Sequence, residues 1–278
     1  MTNLRPMLAS AMVNPIAGRD FDVRFKDGWA LEEKLDGHRC IVSVAGGGRE
    51  IEAFSRPRAG RDVGLLRTLP PEMLATLRHL GDGHYDGELV NATTGKAWDV
   101  VRKRAHLVFV AFDVLSLDGT DMTRHTYWER RAALLGRLAQ LPTEQQSVST
   151  VVSLRPTWRD VEAIWARGGE GAILKRHDSR YEPGHRSLHW LKVKQLHAAT
   201  VTIIGFEAGR SGPHSAFRLQ DADGHITTVK TTTNRQRAEI AADPASFLGR
   251  AVVISYQEKT HTGHYRHGRF DHFDKEQR

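Results

Sequence analysis

Lys34 is the residue whose setting most invites a chemical reading. It stands in Trp29–Arg39, WALEEKLDGHR, behind Glu32 and Glu33 and ahead of Asp36, Gly37 and Arg39. Lysines are mostly solvated surface residues, so one in an apolar-flanked run that stops at a glycine suggests a nucleophile directed at a nucleotide phosphate. Such an amine must first lose its proton, because free lysine titrates at about 10.4. Burial and neighbouring cations lower that value, whereas carboxylates raise it. The flanking acids therefore make sense when a divalent metal and further cations share the pocket, where they also stabilise charge on phosphorus oxygens.

Further groups of that kind stand at strand ends. In Trp190–Lys194, WLKVK, strand alternation puts Lys192 and Lys194 on one face, with Leu191 and Val193 entering the core. Two lysines on one face of a buried strand make a phosphate clamp; on an exposed edge strand they would only block aggregation. Glu88 in YDGELV and Glu170 in EGAILK each offer a carboxylate to Mg²⁺ or to a ribose hydroxyl. Both also stand beside a glycine of an ordinary turn dipeptide, Asp86-Gly87 or Glu170-Gly171. Phe112, beside Asp113, stacks on a base or enters the core, and Arg56 meets a phosphate or is plain surface. His261, His264, His267 and His272 crowd the tail without a pattern that converges them, which favours a solvated loop over a metal site.

The positioning elements follow from periodicity and turn residues. Leu4–Ala9 reads as an extended lead-in, and Trp29–Leu35, Cys40–Ala45 and Arg49–Ser55 as strands. Pro71–Leu80 has the spacing of a short helix, and Tyr85–Val90 and His106–Leu115 are strands. Thr126–Leu141 is an amphipathic helix with Leu134, Leu135, Leu138 and Leu141 inward and arginines elsewhere. Thr157–Arg167 is a helix, and Gly171–Lys175 and Leu188–Lys194 are strands. Beyond residue 196 the character changes to close-spaced short strands at Thr200–Glu207, Ala216–Asp221, His225–Thr231 and Arg250–Glu258, with a helical insert at Arg235–Ala242. A small five-strand barrel, most simply an OB-fold, fits that pattern. The expected domains are 1–195 and 196–278.

Over 278 residues, 40% are hydrophobic and 26% charged, which argues against disorder, and a formal charge of +7 favours a polyanionic partner. The single cysteine, Cys40, excludes an intrachain disulfide and leaves no thiolate cluster for zinc. No segment approaches the roughly 18 apolar residues that span a bilayer, and the N-terminus lacks a signal-peptide pattern, so the cytoplasm is the expected compartment.

Taken in order, the segments resemble the signature blocks of the covalent nucleotidyltransferases, and most closely those of ATP-dependent DNA ligases. Lys34-Leu35-Asp36-Gly37-His38-Arg39 is similar to the lysine motif. Phe54-Ser55-Arg56, Asp86-Gly87-Glu88-Leu89, Phe112-Asp113, Glu170 through Lys175, and Trp190 through Lys194 resemble the blocks that follow. Tyr181-Glu182-Pro183-Gly184 with Arg186-Ser187 is typical of bacterial and phage ligases. The resemblance implies an α+β fold: a nucleotidyltransferase domain of ATP-grasp-like antiparallel sheets with helices, then an all-β OB-fold domain. It implies that Lys34 carries AMP as a phosphoramidate, that Glu32 contacts the adenine edge and that Phe112 stacks on adenine. Arg39 and Glu88 would hold the ribose, Glu88 also standing near metal, and Arg56 would steady a phosphate, such as that of the nick. Glu170 would bind Mg²⁺ or Mn²⁺, Lys192 and Lys194 would grip the α-phosphate, and Asp36 would orient the lysine.

The family's last block is an arginine, any residue, then Asp-Lys. Here Asp274-Lys275 is present, but His272 stands where the arginine belongs, and a histidine lacks a guanidinium's permanent charge. Lys275 remains a pyrophosphate-side contact on this reading. The implied substrates are ATP and nicked duplex DNA, and the implied state is a monomeric minimal ligase with a hinge near Gln195–Ala199. RNA ligases and mRNA-capping guanylyltransferases share the lysine motif; Glu32, WLKVK and the Asp-Lys tail favour DNA ligase over RNA ligase. A catalytically dead nucleic-acid-binding core is disfavoured by the intact Lys34, Glu88, Glu170, Lys192 and Lys194.

Overall fold

The computed structural model describes residues 5–12, 16–55, 64–65, 69–93, 106–142, 147–210, 212–231, 233–260 and 263–274. The chain divides into two compact units, Met1–Val193 and Lys194–Arg278.

In the first unit, β1 (Leu8–Ala11), β2 (Trp29–Glu33), β3 (His38–Ala45), β4 (Glu50–Ser55) and β5 (Gly64–Leu65) come first. They are followed by β6 (Gly83–Asn91), β7 (Leu107–Leu117), β8 (Thr120–Asp121), β9 (Val148–Thr150), β10 (Ser153–Leu154), β11 (Gly171–Arg176) and β12 (Arg186–Lys194). One sheet runs β1-β12-β11-β2-β10, and the other β5-β4-β3-β6-β7-β8 with β9 beside β7. Most pairs are antiparallel, but β1–β12 and β7–β9 are parallel. The helices are α1 (Gly18–Phe25), α2 (Pro71–Leu77), α3 (Tyr127–Leu138) and α4 (Trp158–Ala166).

Strand alternation sorts the first sheet into two faces. Leu31, Ala172, Leu174 and Val193 pack with Phe21 and Phe25 of α1 and Val161 and Ile164 of α4. On the opposite face Ile173 and Trp190 join Ile41 and Leu115 of the second sheet, with Met7 and Tyr181. The far face of the second sheet carries Cys40, Val42, Tyr85 and Phe109 against Met73, Leu77 and Leu134 of the helices. The layers are therefore helix, sheet, sheet, helix, with a cleft in the inter-sheet layer.

Four features depart from the sequence reading. β2 ends at Glu33, so Lys34 lies just beyond the strand. The lead-in is a strand, Leu8–Ala11, because β12 offers it a parallel partner. Helix α1 was not foreseen: no side chain caps its N-terminus at Ala17, so the usual start signal is missing. On α3, Leu135 is 44% exposed while Arg130 and Arg131 are buried. The reason is charge: Arg130 makes two bonds to the buried Asp113 carboxylate, at 2.6 and 2.9 Å, and an acid in the core requires such a partner.

The second unit contains β13 (His197–Gly209), β14 (Gly212–Gln220), β15 (Ile226–Lys230), α5 (Asn234–Ala242) and β16 (Ala251–Tyr256), then β17 (Glu258–Lys259), β18 (Tyr265–Arg266) and β19 (Arg269–Phe273). Its main sheet is β15-β14-β13-β16-β19, paired antiparallel throughout. Val201, Phe217, Ile240, Val252 and Ile254 form its own core.

Candidate active site

The cleft between the two sheets of the first unit has a volume of about 180 Å³ and includes Lys34, Arg39, Glu88, Phe112, Trp190 and Lys192 in its walls. Lys34 reaches it because the chain turns away from β2 at that point. Its amide still donates to the Gly171 carbonyl at 2.8 Å, which ties the turn to β11. Its Nζ donates to the Glu170 carboxylate, and both side chains remain about a quarter exposed, at 24% and 25%. Gly37 lets the turn lie against β6: a Cβ there would stand 2.3 Å from Leu89 O and 2.6 Å from Glu88 Cγ.

The acids that flank Lys34 in sequence are committed elsewhere. Glu33 pairs with Arg167 at 2.5 Å, at the C-terminal end of α4. Glu32 is buried at the cleft floor, where Tyr127 Oη donates to Oε1 at 2.5 Å and Lys175 Nζ pairs with Oε2 at 2.7 Å. Lys175 also donates to the Phe112 carbonyl at 3.0 Å and lies 4.3 Å from the Trp190 ring centroid. Burial pulls this ammonium below the ordinary lysine value, although Glu32 and Asp113 oppose the shift.

Arg39 faces Glu88 across the β3–β6 pair. Its guanidinium makes two bonds of 2.6 Å to Asp86 and lies 4.5 Å from the Phe112 ring centroid. Tyr181 donates to the same Asp86 carboxylate at 2.5 Å and accepts from the Met7 amide at 2.9 Å. The arginine is thus locked from behind, and burial, which would lower its pKa, is outweighed by Asp86. Glu88 has no such lock among the described residues. Burial pushes its carboxyl up to about 7, Arg39 and Lys34 oppose this, and Asp86 and Glu170 add to it.

A lysine on a carboxylate thus shares one inter-sheet cleft with further cations and an aromatic ring, and comparison with known proteins places the chain that holds it. The ATP dependent DNA ligase domain family matches residues 6–194. The chain belongs to that family. A multifunctional non-homologous end joining protein, LigD, from Mycobacterium bovis is 34% identical over 222 residues, which are 77% of this chain and 27% of LigD. A probable DNA ligase from an Anaeromyxobacter strain is 30% identical over 269 residues, 90% of this chain and 50% of that one. The chain thus spans between about a quarter and a half of these relatives. The ligase domain of Mycobacterium tuberculosis LigD superposes at a TM-score of 0.58 with 24% identity, over 99% of this chain and 96% of that one. A Lig E DNA ligase superposes at 0.67 with 20% identity, over 96% and 99%. These likenesses show the fold.

In this ligase-family chain, Glu32, Lys34, Arg39, Glu88, Phe112 and Lys192 share the cleft, and Glu170 touches Lys34. Phe112 is half-buried there, lining the cleft while also packing against the inter-sheet core beside Trp190. Lys194 opens the second unit and donates to Gln257 Oε1 at 3.1 Å. Asp36 is half-buried in the turn, with no hydrogen bond or ion pair among the described residues. Arg56, Arg58, Arg61, His261 and Lys275 lie outside the described residues. His264 Nδ1 meets the Ile226 carbonyl at 2.9 Å, and His272 is paired with Val253 on β19. The converging acid–histidine group among the described residues is Asp221, Asp223 and His225, a turn in which Asp221 accepts from both later amides.

Sequence reasoning assigned no role to Asp86, Tyr127, Lys175 and Arg186. Arg186 lines the cleft and donates from Nη1 to the Ala9 carbonyl. Asp86 and Lys175 stood inside quoted motifs, so their positions carried a signal without a task; Tyr127 carried none. No helix of the described residues is long and apolar enough to cross a membrane.

Proposed function

We propose that this chain is an ATP-dependent DNA ligase that seals 5′-phosphate/3′-hydroxyl nicks in duplex DNA. The observation that carries this reading is the placement of Lys34 Nζ on Glu170 at the wall of a cleft that also holds Arg39, Glu88, Phe112 and Lys192. Deprotonated Lys34 attacks the α-phosphorus of ATP, a lysyl-AMP bond forms and pyrophosphate leaves. AMP then passes to the 5′-phosphate of the nick, and the 3′-hydroxyl displaces it as the phosphodiester closes.

In that scheme Glu32 receives the adenine edge, Phe112 stacks on the base, and Arg39 with Glu88 holds the ribose. Lys192 and Lys194 neutralise the α-phosphate, Asp36 orients the lysine, Arg56 meets the nick phosphate, and Lys275 stands on the pyrophosphate side. Glu170 and Glu88 offer oxygen donors of the kind that suit Mg²⁺ or Mn²⁺. When bound, such an ion supplies charge neutralisation at the phosphate oxygens. The domain reading is an adenylation domain, 1–195, and an OB-fold domain, 196–278. The order β15-β14-β13-β16-β19 with α5 between β15 and β16 supports the latter. A monomer acting on nicked DNA is the simplest working form.

The test is incubation with labelled ATP and Mg²⁺, followed by mass mapping of the adduct. AMP on Lys34, lost in Lys34→Ala, is the expected result. No adduct, or a guanylate from GTP in its place, rejects the reading. Nicked DNA and nicked RNA duplexes, added separately, distinguish a DNA ligase from an RNA ligase.

A further inference from the structure

Tyr127 belongs to none of the ligase blocks, yet it is fully buried and reaches from the first turn of α3 to the floor of the cleft. That turn is fixed locally. Thr126 accepts from the Glu129 amide, and the Glu129 carboxylate accepts from the Thr126 amide at 2.8 Å, a reciprocal cap that sets where the helix begins. From there the phenol hydroxyl donates to Glu32 Oε1 at 2.5 Å and lies 3.1 Å from Ser153 Oγ. Ser153 sits on β10 directly opposite Glu32. With Lys175 on Oε2, both oxygens of the carboxylate are held, so its plane cannot rotate freely.

A phenylalanine would fill the same space, so packing alone does not account for the hydroxyl. Burial and the adjacent Glu32 raise the phenol well above its ordinary pKa, so it remains an O–H donor. A fixed carboxylate accepts from an exocyclic amino group, whereas a carbonyl oxygen in the same place meets an oriented anion and pairs with nothing.

We propose that Tyr127 is a positioning residue for nucleobase choice, holding Glu32 so that the cleft selects a 6-amino purine nucleotide over a 6-oxo purine. This rests on the ATP reading above. The residue touches neither Lys34 nor Glu170 in the contacts of the described residues, so it acts on binding and discrimination more than on the chemical step.

The experiment compares wild type and Tyr127→Phe in single-turnover formation of protein–AMP from ATP and protein–GMP from GTP, with thermal unfolding measured alongside. Loss of one hydrogen bond to a carboxylate is expected to raise the KM for ATP about tenfold, with kcat within about threefold. The ATP-over-GTP preference is expected to fall about tenfold as well. In a Glu32→Gln background the same change is expected to add less than about twofold, since coupled residues are non-additive. Ser153→Ala, which leaves the ring in place, is expected to shift the preference in the same direction by a smaller factor; this arm serves if Tyr127→Phe unfolds. An unchanged preference, or equal losses in kcat for both nucleotides, overturns the assignment of Tyr127 while leaving the ligase reading intact. A wild-type chain that takes up no AMP overturns both, and that arm separates the two failures.

Discussion

A methyl group on Gly37 would stand 2.3 Å from Leu89 O and 2.6 Å from Glu88 Cγ. Neither the β6 backbone nor the stem of Glu88 can yield without moving the cleft wall. Gly37→Ala is therefore expected to lower stability by about 1–3 kcal/mol, read from the urea midpoint, and to slow adenylation. Lys34→Arg probes the proposed nucleophile. Guanidinium keeps the charge and the reach to Glu170, but it cannot lose its proton in a protein. The variant is expected to fold normally and to take up no AMP by mass spectrometry. The same residues show where sequence adjacency misleads. Glu32 and Glu33 precede Lys34 in the chain, yet they pair with Lys175 and Arg167, and the carboxylate that touches Lys34 comes from Glu170.

Among the elements, α3 and β7 depend on one buried contact. The Arg130 and Asp113 side chains are both fully buried and meet at 2.6 Å. Burial alone would raise the Asp113 carboxyl; Arg130, with Lys175 and the Val114 amide, holds it below the ordinary carboxylate value. A depressed carboxyl adds stability above the unfolded pKa of about 3.9, and that contribution is lost as pH falls through the lower folded value. Arg130→Met leaves the acid buried without its ion-pair partner, held only by the Val114 amide and the more distant charge of Lys175, which is expected to cost about 3–5 kcal/mol. Without Arg130, burial raises the carboxyl toward its protonated form, so the deficit shrinks as pH falls. Urea melts of both proteins between pH 3 and pH 7 check the prediction; parallel pH profiles would contradict it. The amphipathic pattern of α3 was legible, but its inward face was not. Leucine spacing pointed to Leu135, while the helix is rotated so that Arg130 reaches Asp113 and Tyr127 reaches Glu32.

At the scale of the whole molecule, two units with separate cores share one chain of net charge +7. On the proposed function, phosphate contacts dominate affinity for a nick, and log affinity falls linearly with log salt. The arginines of Arg56–Arg67, RPRAGRDVGLLR, are candidates for such phosphate contacts, so replacing Arg58 and Arg61 with alanine is expected to flatten that slope by about 0.9 per contact removed; fluorescence anisotropy with a nicked duplex measures it, and an unchanged slope removes both residues from that role.

The sequence by itself determined the chemistry on offer, because motif spacing and strand periodicity are local properties. A lysine ahead of Asp36-Gly37, a carboxylate in Asp86-Gly87-Glu88, and a strand with Lys192 set against Leu191 and Val193 were readable without coordinates. So was the change from mixed α/β to short strands near residue 196. Only the tertiary structure decided which groups meet. Strand pairing across more than a hundred residues brings Glu170 to Lys34 and Lys175 to Glu32. The space between the two sheets decided that Phe112 lines a cleft while packing against the inter-sheet core. Pairing of buried charges was the other half of the answer. Asp86 and Asp113 need Arg39 and Arg130 because an uncompensated acid in a dry interior is costly. That demand is met through space, so no stretch of sequence states it.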